Sequence, residues 1–242
     1  MKSYLILILL VTATNLFAND QTPDLEVQML EKGIYLHRSF KNVEGYGLVD
    51  SNGLVVIDGE DAYIVDTPWT DEDTEKLAEW IDEQGFVLKG SISTHSHQDR
   101  VGGLGWLNAH SIPTYASTVT NELLKKNGKE MASHTFSQSE QNIGFANNIL
   151  EVYYPGAGHT IDNLVVWLPT SKILVGGCFI KGIESENLGY IGEASISAWP
   201  NSIDNLKSRY PEAKVVIPGH GRVGNLALLD HTKELADTSL KK

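Results

Sequence analysis

Cysteine is almost missing from this chain, with one, Cys178, among 242 residues. A lone cysteine excludes an internal disulfide framework, and a leftover thiol needs an explanation. It is either a small buried hydrophobe or a thiolate protected by a metal ion. Long apolar runs are missing as well: the one from Tyr4 to Val11 is too short for the about 20 residues that cross a bilayer. Basic residues are scarce, 19 Lys and Arg against 31 Asp and Glu, for a formal net charge of −12. Without a Lys/Arg cluster the chain lacks the electrostatic footprint of a nucleic-acid binder. Internal repeats, low-complexity tracts and linker-like stretches are absent too, which argues against solenoids and bead-on-string architectures.

The first residues read as an export signal: Lys2, the apolar run, then small and polar residues up to Ala18 before Asn19-Asp20. The expected organisation is a signal peptide over 1–18 and a single domain over 19–242. The mature protein is expected in the periplasm, with no stable membrane anchor and as a monomer.

From Asp24 to Val65 the pattern is that of strands, with Asn52-Gly53 and Asp58-Gly59 as turn signals. A helix is predicted from Thr70, where Thr70 and Asp73 resemble a capping box, to Gly85. Strands follow at 86–92 and 113–116, and helices at 102–109 and 118–126. Residues 129 to 148 are polar and give no clear pattern. Strands recur at 149–154, 163–168, 172–175 and 214–217, with helices at 203–210 and 226–236. Strands dominate each half and helices punctuate them, which predicts two sheets face to face with helices outside.

Against this background one stretch carries chemistry: Ser93-Thr94-His95-Ser96-His97-Gln98-Asp99-Arg100, entered from an apolar strand. H-x-H-x-D puts three metal-competent side chains within five residues. Imidazoles suit zinc, and a carboxylate beside them suits a second ion; alone, the stretch is also compatible with a polar loop. Three more donors sit at strand ends in Gly-rich turns: His159 in Pro155-Gly156-Ala157-Gly158-His159-Thr160, Cys178 after Gly176-Gly177, and His220 in Pro218-Gly219-His220-Gly221. Three imidazoles and a water satisfy one tetrahedral zinc, and Asp99, Cys178 and His220 a second, which accounts for the lone thiol. His37, His110, His134 and His231 lack such turns and read as surface or packing residues.

These motifs, with Ile64-Val65-Asp66-Thr67-Pro68, Ser111 to Ala116, Asp162-Asn163 and Cys178-Phe179-Ile180-Lys181, occur in order from about Gly33 to the final helix. The set resembles class B β-lactamases, the metallo-β-lactamases, of the subclass with an Asp-Cys-His second site. The resemblance implies an α+β fold, an αββα sandwich of two packed mixed sheets with helices on the outer faces. It implies two zinc ions per chain, the first held by His95, His97 and His159, the second by Asp99, Cys178 and His220. The implied activity is opening of the β-lactam ring of penicillins, cephalosporins and carbapenems, and hence antibiotic resistance. Asp99 is implied to orient the attacking water, and Lys181 to anchor the substrate carboxylate. Tyr46 belongs to a segment, Asn42 to Gly47, that resembles a flap over the substrate. Tyr190 stands where many relatives are expected to carry an Asn near the lactam carbonyl. Asp66 reads either as a partner of a ligand histidine or as a helix-entry turn residue.

Two rival readings remain. Thioester hydrolases and lactonases of the same superfamily usually carry a second His after the Asp and a bridging Asp in place of the Cys; Arg100 and Cys178 stand there instead. A non-enzymatic zinc-binding protein would need neither an open coordination position nor an anchor such as Lys181.

Overall fold

The computed structural model describes residues 22–139 and 145–241, so the signal-peptide reading over 1–18 lies outside the described residues. Seven strands form the first sheet in the order β1 (Glu26–Glu31), β2 (Ile34–Val43), β3 (Gly47–Asp58), β4 (Asp61–Val65), β5 (Val87–Ile92), β6 (Thr114–Ser117) and β7 (His134–Phe136). Pairing is antiparallel from β1 to β4 and parallel from β4 to β7. The second sheet runs β11 (Val215–Pro218), β10 (Ile173–Gly177), β9 (Val165–Leu168), β8 (Glu151–Tyr153), and only its β10–β11 pair is parallel.

Alternation along the strands builds the layers. In β9, Val166 and Leu168 enter one core while Val165 and Trp167 enter another; Val175 and Leu174 divide the same way in β10. In β3 and β4, Leu54, Val56, Tyr63 and Val65 join the core shared with β9 and β10, whereas Val55 and Ile64 face away. A strand whose two faces are both buried must be apolar throughout, as these are. The shared core lies between the sheets. Outside the first sheet, Leu77 and Ile81 of α1 (Asp71–Glu83) cover Val55 and Ile64. Outside the second, Ile203 and Leu206 of α5 (Trp199–Arg209) and Leu228 and Leu229 of α6 (Ala227–Ser239) cover Val165, Trp167 and Leu174. The expected αββα sandwich is therefore what the chain forms. The short α2 (Gln98–Val101) and α3 (Leu104–Ala109), with α4 (Thr118–Lys126), complete the first half.

Local signals hold at several points. Thr70 caps α1, its side chain accepting from the Asp73 N–H at 3.1 Å, and Gly59 turns β3 into β4 with φ +63°. Asn52-Gly53 does not turn. It lies inside β3, where the Asn52 amide donates to the carbonyls of Pro218 (3.0 Å) and Gly221 (2.8 Å) in the other half. Gly53 is needed for close approach, since a Cβ there would lie 2.3 Å from His37 Nε2. The hairpin between β2 and β3 falls instead at Glu44-Gly45-Tyr46. The polar stretch after residue 128 supplies β7, paired with β6. Helix α5 begins at Trp199, before the predicted Ile203, with Pro200 in its first turn where a missing N–H costs nothing.

Candidate metal centre

Strands β4, β5, β10 and β11 all deliver functional residues from their carboxyl ends. Asp66 follows β4, the His95–Asp99 loop follows β5, Cys178 follows β10, and His220 follows β11; His159 lies in the turn from β8 to β9. The six predicted donors converge. His95, His97 and His159 present ligand atoms all within 4.8 Å of one another, and so do His95, Asp99 and Cys178. His220 completes the second set, its Nε2 lying 3.2 Å from Cys178 Sγ and 3.4 Å from Asp99 Oδ2. Each set draws on both halves of the sandwich.

The donors fit zinc. Two nitrogens bound to one tetrahedral ion lie about 3.3 Å apart; His97 Nδ1 and His159 Nε2 are 3.0 Å apart. Cys178 Sγ lies 3.0 Å from Asp99 Oδ2. His95 Nε2 is buried with no hydrogen-bond partner among the described residues, as a nitrogen reserved for an ion would be. Burial pushes His95 and His159 well below the ordinary imidazole pKa, which keeps both in the neutral, metal-binding form. Burial also pushes the Cys178 thiol up, so a thiolate there needs a bound cation.

Neighbouring residues fix these groups. Arg100 is fully buried and donates to Asp99 Oδ2 (2.9 Å), the Asn52 carbonyl (2.5 Å) and the Gly219 carbonyl (2.8 Å), and lies 3.3 Å from Asp66 Oδ2. Burial alone would raise the pKa of Asp99; Arg100, then His220 and His95, outweigh it and hold the carboxyl well below the usual carboxylate range. Gly219 leaves room for the thiol, since a Cβ there would lie 2.7 Å from Cys178 Sγ. His220 Nδ1 is bonded to the Asp50 carbonyl. Asp66, with φ +60°, accepts from the Thr94 N–H (2.7 Å) and hydroxyl (3.0 Å). Thr94 Oγ1 is in turn 3.3 Å from His95 Nδ1, so Asp66 acts on the ligand histidine at one remove. Burial raises the Asp66 pKa to about 6, with Arg100 opposing, which leaves it ionised at neutral pH.

His97, Asp99, His159, Cys178 and His220 open into a cavity of about 410 Å³, also lined by Val43, Tyr46, Val49, Trp69, Lys181, Tyr190 and Glu193, with His95 buried behind them. Tyr46 is exposed at the β2–β3 hairpin. Lys181 is no solvated surface lysine: it is 7% exposed, its Nζ lies 5.5 Å over the Trp199 ring, and it forms no ion pair among the described residues. Tyr190 sets its ring edge-on to His97 at 5.6 Å. The amide in this segment is Asn187, beside Lys181 and His220 in an adjoining cavity, with its Oδ1 accepting from the Gly189 N–H at 2.8 Å. Sequence reasoning passed over Asn187, Trp69 and Glu193, because none stands in a motif or at a telling spacing. His37 is buried and bonded to the Asp66 carbonyl at 2.9 Å; His110 and His134 are exposed, and His231 meets the Ser185 carbonyl. None of the four joins the donors.

Comparison with known proteins agrees with this geometry. The profile of the metallo-beta-lactamase superfamily matches residues 46–220. A metallo-beta-lactamase type 2 of Pseudomonas aeruginosa is 51% identical over 220 residues, covering 91% of this chain and 87% of its own length. The crystal structure of the DIM-1 metallo-beta-lactamase exposed to ceftazidime superposes with a TM-score of 0.88 at 55% identity, covering 91% of this chain and all of the other. FIM-1 from Pseudomonas aeruginosa, solved in a mono-zinc form, gives 0.85 at 32% identity, covering 90% of this chain and 97% of that one.

Proposed function

The chain belongs to the metallo-beta-lactamase superfamily, and from that premise we propose that it is an exported zinc hydrolase of β-lactam antibiotics. The carrying observation is the juxtaposition of two three-donor sets with a buried ammonium, Lys181, that has no ion pair among the described residues. His95, His97 and His159 hold the first zinc; Asp99, Cys178 and His220 hold the second. Bound zinc supplies a Lewis acid and lowers the pKa of water to about 7, making a nucleophile available at neutral pH.

The chain's own groups do the rest. Bicyclic lactams carry a carboxylate on the fused ring, and Lys181 binds it by charge. Tyr46, Val43, Val49 and Trp69 offer apolar surface to the remainder of the molecule and displace water from it. Asp99, held ionised by Arg100, accepts a hydrogen bond from the attacking water and so orients its lone pair toward the carbonyl carbon. Water adds there, the C–N bond breaks, and the ring nitrogen leaves with a proton. Cys178 and Arg100 stand against the thioester-hydrolase reading, and a cavity open beside the donors stands against a mere zinc store. Purified protein should hydrolyse a chromogenic cephalosporin, benzylpenicillin and a carbapenem; failure on all three with zinc bound would refute the proposal.

Two substitutions probe the assigned roles. Lys181→Ala removes a charge-assisted hydrogen bond worth roughly 1.5–3 kcal/mol. The carboxylate keeps its charge through the reaction, so ground and transition states lose alike. KM should rise about ten-fold or more while kcat changes less and zinc content stays constant; an unchanged KM on several carboxylate-bearing lactams would move the anchor elsewhere. Cys178→Ser should weaken the second zinc selectively, because a hydroxyl is a poor ligand beside a thiolate. Zinc titration should then show one tight site where the parent shows two.

A further inference from the structure

We propose that Glu193 is a positioning residue for the first zinc, acting through His97. This rests on the assignment of His95, His97 and His159 to that ion. The two nitrogens of His97 face opposite partners. Nδ1 points into the donor set, 3.0 Å from His159 Nε2, and Nε2 lies 2.6 Å from Glu193 Oε2. A neutral imidazole has one N–H and one lone pair. A carboxylate at Nε2 draws the N–H there and leaves the lone pair on Nδ1, where a metal ligand must have it. Without that acceptor the ring is free to take the other tautomer, which puts a hydrogen where the ion belongs.

Of the three first-set histidines, only His97 has a carboxylate partner among the described residues. His95 Nδ1 meets the Thr94 hydroxyl, and His159 Nδ1 is buried without a partner. His97 is also the least buried of the three, so it depends most on a specific contact for its orientation. Glu193 itself is half exposed, but its backbone is not adrift. Two residues on, the Ser195 N–H donates to the Gly158 carbonyl at 2.7 Å, and the Ala194 N–H to the Ile191 carbonyl at 3.1 Å. The first of these bonds ties the segment to the residue preceding His159. One segment thus touches the cavity through Tyr190, braces His97 through Glu193, and is fastened beside His159.

The test is zinc affinity, measured by competition with a chromophoric chelator, in the parent, Glu193→Ala and Glu193→Gln. Outer partners of ligand histidines typically contribute 10–100-fold in metal affinity. Glu193→Ala should lose that much at the first site only. Glu193→Gln, whose side-chain carbonyl still accepts from Nε2–H, should recover most of it; a merely structural role predicts no such rescue. With cobalt(II) in place of zinc, the thiolate charge-transfer band of Cys178 should be retained in both variants. Long-range proton–nitrogen spectra should show His97 as the Nε2–H tautomer in the zinc-loaded parent. Should Glu193→Ala melt early, Glu193→Met keeps the bulk without the acceptor and supplies the same comparison. Parent-like affinity at both sites in the variant without an acceptor would overturn the role of Glu193 alone. A parent that bound no zinc would overturn the metal-centre assignment itself.

Discussion

Stripped of zinc by a chelator, the protein should lose essentially all ring-opening activity and regain it when zinc returns. The expected loss is large because bound zinc is what makes water nucleophilic in the proposed reaction. Ordinary water has a pKa near 15.7 against about 7 on zinc, so the ready nucleophile falls by many powers of ten. His95 and His159 are held neutral by burial in the metal-free chain, but their geometry points them at a shared ion rather than at a solvent-side water. Asp99 is committed to Arg100 and, with its pKa held low, is a weak base. The measurement is lactam hydrolysis followed by absorbance, before chelation, after it, and after dialysis into zinc. Activity that survived removal of all metal, or an acyl-enzyme trapped on a serine, would refute the mechanism.

Arg100→Met should destabilise the fold by about 3–5 kcal/mol, the usual cost of breaking a buried ion pair from one side. Arg100 is fully buried, and its guanidinium meets two carboxylates and two carbonyls drawn from β3, the β4 end, the β5 loop and the β11 end. Methionine fills the space and leaves Asp66 and Asp99 facing each other without a cation. For a chain of this length the loss corresponds to a drop in Tm of roughly 6–20 °C. Arg100→Lys should rescue poorly, since one ammonium cannot span acceptors that a planar fork reaches together. Chemical denaturation of the metal-free protein reads the effect on the fold directly. A change below about 1 kcal/mol for Arg100→Met would show that the network carries little of the stability.

The donor set was readable because each donor sits in a short motif whose residue types serve one purpose. Strand positions in the second half were readable because they are continuous apolar runs between turns. Asn52-Gly53 misled, since its turn chemistry is local while its use is tertiary: the amide reaches Pro218 and Gly221 across the sandwich. Trp199 opens its helix, and nothing nearby in sequence reveals that its indole N–H donates to the Phe179 carbonyl at 3.0 Å. Glu193 and His97 lie 96 positions apart, with no periodicity to join them. Arg100 could be seen as a departure from the thioester-hydrolase pattern, but its four-way grip on the site is visible only once the strands are assembled.

Both zinc sets take donors from the two halves: His95, His97 and Asp99 from one, His159, Cys178 and His220 from the other. An ion gripped across such a seam is a rivet as well as a reagent. Its binding free energy is also adhesion between the sheets, since an unfolded or parted chain cannot present the donors together. Scarcity of zinc therefore does two things at once, leaving the chain inert and leaving its halves less firmly joined. Supply of the metal thus sets how long the fold persists as well as how fast the protein works.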